Sequence, residues 1–180
     1  MAITVEDGSG VSSADAWADL AAYKAWEVNF HGAEGSESDA LKEAAQRRSV
    51  GYLNALPWKG TRTNGRDQSL SWPRSGASDG DGNAIASDEV PRELILAQHA
   101  VTWAEVASPG ISAPQVNMAN GKTLTAVDSM KWTITAGIQD SAAAQRTLIF
   151  TALDEIAGFL TRDITDVEDS NEMYLRSVGT

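Results

Sequence analysis

Apolar residues recur along this chain at helical three- and four-residue spacing in four separate stretches. In the first, Ala16, Leu20, Tyr23, Trp26 and Phe30 form one stripe. Ser12 and Asp15 stand ahead of it at capping-box spacing and Gly32 follows it, so a helix is expected over 13–31. Ser36 and Asp39 repeat the capping pattern before Leu41, Ala45, Tyr52 and Leu56. Proline disfavours helix in the residue before it, so Pro57 closes a second helix over 38–56. Pro91 suits the first turn of a third helix, where its missing N–H would have no partner anyway. Its stripe is Leu94, Ala97, Val101 and Ala104, and "SPG" at 108–110 stops it, giving 91–107. The clearest stripe comes last. Leu148, Ile149, Ala152, Ile156, Phe159 and Leu160 follow a cap at Asp140 or Ser141 and predict a helix over 141–161.

The intervening stretches have other patterns. "AITVE" at 2–6 reads as a short strand or arm, broken by "DGSG". Asn120-Gly121 lies between two β-capable runs and signals a hairpin within a β element at 115–137. There Lys131, Thr133 and Thr135 alternate with Trp132, Ile134 and Ala136. Residues 57–90 carry neither period and form a long loop that nevertheless holds Trp58 and Trp72. The stretch 162–180 is acidic, with Ile164, Val167, Tyr174 and Leu175 as apolar anchors, and reads as an arm that orders against a partner. The pattern is mainly α: four helices, a long loop, one small β element and extended ends.

A length of 180 residues fits a single domain, 1–180, able to bury a core without staples. Cysteine is absent, which excludes disulfides and thiolate chemistry and fits a chain made in a reducing cytoplasm. The opening residues lack the basic and apolar regions of a secretory signal. No stretch reaches the roughly 18 apolar residues that span a bilayer, so no membrane partner is expected.

The net charge of −11 argues against a surface wrapped in nucleic acid. Its distribution is uneven. Residues 1–40 carry eight acids and one base, and 79–109 carry six acids and one base. Between them, 41–78 carry seven bases (Lys42, Arg47, Arg48, Lys59, Arg62, Arg66, Arg74) and two acids. A cationic island in an acidic chain can meet a phosphate backbone or an acidic neighbour, including another copy of itself.

Chemistry-bearing motifs are missing. There is no G-x-S-x-G, S-x-x-K or P-loop, and "GSGVSS" lacks the third glycine of a dinucleotide loop. His31 and His99 belong to different helices, and no His/Asp/Glu group has zinc spacing. Neither an enzyme nor a cofactor is expected. Asp79, Asp81 and Asn83 match the first three ligand positions of a calcium loop, but Ala84 stands where glycine is needed and Val90 where a bidentate glutamate is needed. A polar turn is the better reading.

The loop admits two readings. Trp58 and Trp72 can stack bases while Lys59, Arg62, Arg66 and Arg74 hold phosphates. Alternatively the indoles pin the loop onto the helices and Arg74 or Arg62 packs on a ring or pairs with an acid. The acid surplus elsewhere favours the second.

The stretch from Tyr52 to Ala100 resembles a family of tailed-phage proteins. The features that carry it are Tyr52-Leu53 ending a helix, then Trp58, Gly60 and Arg62. Gln68, Leu70, Trp72, Pro73, Arg74 and Gly76 follow, then the Asp81-Gly82 turn and Val90-Pro91 opening an alanine-rich helix. "ITVEDGSGVSSADAWADL" is similar to the family's start, so the likeness covers about 1–106. Members are often labelled DnaT-like single-stranded-DNA-binding proteins, yet look like head–tail adaptors, or head-completion proteins. The resemblance implies a four-helix bundle-like adaptor with a long ordered loop, a small β-hairpin and extended N- and C-terminal arms. It implies a homo-oligomeric ring, usually a dodecamer, placed in the virion under the portal protein. A tail-side neck protein (stopper or tail terminator) is the other partner, and double-stranded DNA passes through the lumen without specific binding. No catalytic residue comes with it. Trp58, Gly60, Arg62, Gln68, Trp72, Pro73 and Arg74 are expected to organise the loop and an interface. The alternative is a single-stranded-DNA-binding protein of phage replication.

Overall fold

In the computed structural model the residues described are 3–112, 123–126, 131–133 and 150–161. They make a mostly helical fold. Helix α1 is Leu20–His31, α2 is Asp39–Asn54, α3 is Arg92–Ala107 and α4 is Phe150–Ile156, which runs into a 3-10 turn at Ala157–Phe159. Strands β1 (Thr61–Arg62) and β2 (Arg74–Ser75) form one antiparallel ribbon. Strands β3 (Thr123–Ala126) and β4 (Lys131–Thr133) form another.

Helix α3 is the spine, packed against α2 on one part of its surface and α4 on another. The expected stripe positions Leu94, Ala97 and Val101 are buried, as are Ala45, Tyr52, Leu53 and Leu56 of the α2 region. Burial of such side chains supplies about 1.5–3 kcal/mol each and is the main force holding the helices together. The α2–α3 seam also has a polar stitch. Thr102 Oγ1 donates to the Gln98 carbonyl at 2.7 Å and lies 3.1 Å from Ser49 Oγ.

Two helix starts differ from expectation. Ser38, not Ser36, caps α2, its hydroxyl accepting from the Leu41 N–H. Asp19, not Ser12, caps α1, its carboxylate accepting from the Ala22 N–H at 2.7 Å. Residues 13–19 are not helical because their backbone is taken by the N-terminal arm. Ala16 bridges Val5 in parallel, Glu6 N donates to the Ala16 carbonyl at 2.9 Å, and Trp17 N donates to Gln98 Oε1 at 2.9 Å. A helix there would cost those bonds and would lift Ala14, Ala16 and Trp17 from the core.

The apolar stripe of α1 also leaves the core towards its end. Tyr23 is buried, Trp26 half-buried and Phe30 exposed. Pro91 sits just before α3, at the capping position, with no side-chain cap. Of the expected helix at 141–161, residues 141–149 lie outside the described residues, and Ala152, Ile156, Phe159 and Leu160 are buried as the stripe requires. The β3–β4 pairing, Thr123 opposite Thr133, lies either side of 127–130 rather than of Asn120-Gly121. Asn120-Gly121 and the arm 162–180 lie outside the described residues.

Candidate functional site

The loop between α2 and α3 is built around its two indoles. Trp58 follows Pro57, bridges Leu160 and donates its Nε1–H to the Leu53 carbonyl at 2.9 Å, which ties the end of α2 to the end of the chain's described core. Trp72 is 0 % exposed and Trp58 6 %. Their rings meet edge to face at 5.8 Å, and Trp72 meets Phe159 the same way at 6.0 Å. Such contacts add about 0.5–1.5 kcal/mol each beyond the area they bury. The Trp72–Pro73 peptide is cis.

The polar members of the motif hold the backbone of the loop. Gln68 is buried, and its amide donates to the Leu70 and Pro73 carbonyls, each at 2.9 Å, while accepting from Asn64 N. Arg74 donates to three carbonyls, Lys59 at 2.6 Å, Ser71 at 3.0 Å and Gly60. Burial, and then the nearby charge of Arg62, hold the Arg74 guanidinium below its ordinary range. Gly60 takes φ +71°, and a Cβ there would lie 2.5 Å from the Ser75 carbonyl oxygen. Only glycine lets β1 approach β2 so closely. The loop is tied to the 3-10 turn after α4 as well, through Lys59 Nζ to the Gly158 carbonyl at 2.6 Å. At Gly158 a Cβ would meet the Gly80 nitrogen at 2.6 Å, so two glycines allow the loop and the 3-10 turn at Ala157–Phe159 to touch backbone to backbone.

The expected loop organisers, Trp58, Gly60, Gln68, Trp72, Pro73 and Arg74, are therefore gathered in one place. Arg62 stands opposite Arg74 across the β1–β2 ribbon. The stacking layout for bases is not present at these residues, because both indole faces are covered.

Most of the cationic island is committed inside the fold. Lys42 and Glu27 are both wholly buried and paired at 2.7 Å, and Tyr23 donates its hydroxyl to Glu27 at 3.0 Å. Burial, reinforced by Glu27, pushes the Tyr23 phenol well up. Lys42 also donates to the Gly35 carbonyl at 2.9 Å. Arg48 pairs with buried Glu105, which also accepts from Gly110 N at 2.8 Å, Ser112 N at 2.9 Å and the Ser112 hydroxyl. Burial pushes the Glu105 carboxyl up, but the bonds from Ser112, Gly110 and Arg48 outweigh it and leave it below the usual range. Arg47 reaches Asp15 at 3.5 Å and Glu43 at 3.7 Å. Arg62 and Arg66 remain, with no carboxylate within ion-pair distance among the described residues.

At the Asp79 turn both carboxylate oxygens face inwards. Oδ1 accepts from Asp81 N at 3.0 Å and Asn83 N at 2.8 Å, and Oδ2 accepts from the Asn83 amide at 2.8 Å. The Asn83 bonds hold the Asp79 carboxyl below its ordinary value. These bonds make a polar turn, and no cluster of three or more His, Cys, Asp or Glu side chains stands together among the described residues. His99 is buried against Tyr23 and Trp26, at 5.8 and 5.7 Å, and desolvation pushes it down to about 4. It is neutral at physiological pH.

A second aromatic group was not singled out by sequence. Trp26 stacks on Phe30 at 5.0 Å and meets His31 at 5.2 Å, and His31 stacks on Trp103 of α3 at 3.9 Å. Phe30 is 65 % exposed and Val28 47 %. The available signal was four rings at the carboxyl ends of two helices, a place where a core stripe normally thins out.

The model of a protein family described as "Putative DnaT-like ssDNA binding protein" matches residues 1–173. That span is nearly the whole sequence, so the chain belongs to this family. No curated protein and no solved structure matches it.

Proposed function

Taking that membership as the premise, we propose that this chain works by macromolecular contact rather than catalysis, and that the contact, argued from its loop and charge rather than from the family's description, is that of a connector between the head and tail of a tailed phage. In this reading its helices form a bundle-like adaptor that assembles as a ring, between the portal protein and a tail-side neck protein. The observation that carries it is the fate of the loop. Trp58, Trp72 and Arg74, the groups with which it would grip nucleic acid, are committed to its own backbone and core. A net charge of −11 suits a lumen that lets duplex DNA slide, because acidic walls repel phosphate.

A second reading is favoured by the family's description, which names single-stranded DNA and lends the connector role no support. In it the bases stack on half-exposed rings such as Trp26 and Trp103 rather than on the loop, and Arg62 and Arg66 hold phosphates.

One pair of measurements separates them. Oligo-dT is titrated at physiological salt while tryptophan fluorescence is followed, and the chain is sedimented with portal rings. The connector reading expects unchanged fluorescence and co-sedimentation as collars on the portal. Salt-sensitive micromolar quenching without portal binding would overturn it and establish the second reading.

A further inference from the structure

Two surface features stand out among the described residues. The first is the shelf formed by Trp26, Phe30, His31 and Trp103, continuous through ring contacts of 5.0, 5.2 and 3.9 Å. Phe30 and Val28 are the large hydrophobic residues left exposed among the described residues, and they lie on this end of α1. The segment that leaves α1 is acidic, with Glu34, Glu37 and Asp39. Lys24, the nearby base, is already held between Glu34 at 3.1 Å and Asp39 at 2.6 Å.

The second feature is the β1–β2 ribbon. Arg62 faces Arg74 across it, and Arg66 is exposed on the turn that follows β1. Like charges directly opposite one another on a ribbon destabilise it. No carboxylate among the described residues relieves this pair. No hydrogen bond, ion pair or ring contact among the described residues joins the shelf to the ribbon.

We propose that the aromatic shelf of one copy receives the arginine ribbon of a second copy, head to tail. Guanidinium planes stack on aromatic faces and pair with carboxylates, so an arginine ribbon suits a set of rings that the acids Glu34, Glu37 and Asp39 follow in the chain. Nucleic acid is the poorer occupant of the shelf, because the segment that follows it in the chain is acidic and repels phosphate. The two patches differ, so the contact is heterologous and each bound copy still offers one free patch of each kind. The inference rests on the connector reading only in taking the partner to be a second copy.

The test uses the full chain and three variants in sedimentation velocity, over a broad concentration range. Phe30→Ala damages the shelf, and Arg62→Glu with Arg66→Glu damages the ribbon. Arg74 is left alone because it holds the loop. The wild type is expected to associate with rising concentration, less so at high salt. Phe30→Ala alone and the Arg62→Glu/Arg66→Glu double variant alone are each expected to associate at least about tenfold more weakly. An equal mixture of the two is expected to form heterodimers and stop there, since each supplies the patch the other lacks. Trp26→Phe, which keeps a ring in place, is expected to associate like the wild type.

A wild type that stays monomeric, a mixture that stays monomeric, or Phe30→Ala behaving as wild type would each overturn the proposal. So would loss of oligo-dT quenching in Phe30→Ala, which assigns the shelf to DNA. An intramolecular cross-link from Phe30 to 162–180 would overturn it too, by assigning the shelf to the chain's own end. Portal co-sedimentation is scored separately, so failure of the patches and failure of the connector reading give different results.

Discussion

At the scale of single residues, the chain repeatedly places ionisable groups where water is absent and then fixes their state. His99 shows this most directly. It touches Tyr23 and Trp26, and burial lowers it from 6.5 to about 4, with Asp19 opposing weakly. A group that binds its proton less readily when folded stabilises the fold above its unfolded value and loses that stabilisation as pH falls. Stability to denaturant should therefore fall between pH 6.5 and about 4, by at most about 3 kcal/mol from this residue. In His99→Gln that part of the pH profile should flatten. An unchanged slope would show that His99 does not remain neutral. Glu105 has the same sign at lower pH, since bonds from Ser112, Gly110 and Arg48 keep it ionised.

At the scale of elements, legibility followed the source of each boundary. Helices α2 and α3 were readable because local chemistry bounds them, with Pro57 after one end and Pro91 before the next start, although the α2 cap falls on Ser38 rather than on the expected Ser36. The start of α1 was not, because a strand partner eleven residues away, Val5, removes Ala16 from the helix. The loop was readable as an organised structure with inward-facing indoles from Trp58, Gln68, Trp72 and Arg74, but not what the indoles pack against, since Phe159 covers Trp72 from far along the chain. The cationic island misled for the same reason. Lys42 and Arg48 look like surface charge until Glu27 and Glu105 are brought beside them. Glycine gives a paired test of this local-versus-distant distinction. Gly51 lies exposed in α2 with open space around it, so Gly51→Ala should raise stability by about 0.5–1 kcal/mol. Gly60→Ala must cross φ +71° and collide with Ser75, and should cost more than about 1 kcal/mol. Both are read from denaturant midpoints, and equal effects would refute the account of the ribbon.

At the scale of the whole molecule, charge is the dominant long-range property. The chain carries 25 acids against 14 bases, and the bases of 41–48 neutralise carboxylates inside the fold rather than at a distance. The outer surface is thus left more uniformly acidic than the sequence map suggested. Self-repulsion of that kind is screened within about 10 Å at 0.1 M salt. The melting temperature should accordingly rise from low to moderate salt, and a fall would mean that attractive surface pairs outweigh repulsion.

The contact of the loop with α4 bears on how this polypeptide comes off the ribosome. Lys59 and Gly158 are separated by 99 positions, and Phe159 and Leu160 finish the covering of Trp72 and Trp58. Until translation reaches that point, Trp72 and Trp58 lack this part of their cover, and a chaperone that favours aromatic side chains can still engage the loop. Completion of the loop's cover therefore waits for residues 158–160, whatever the earlier helices have already formed.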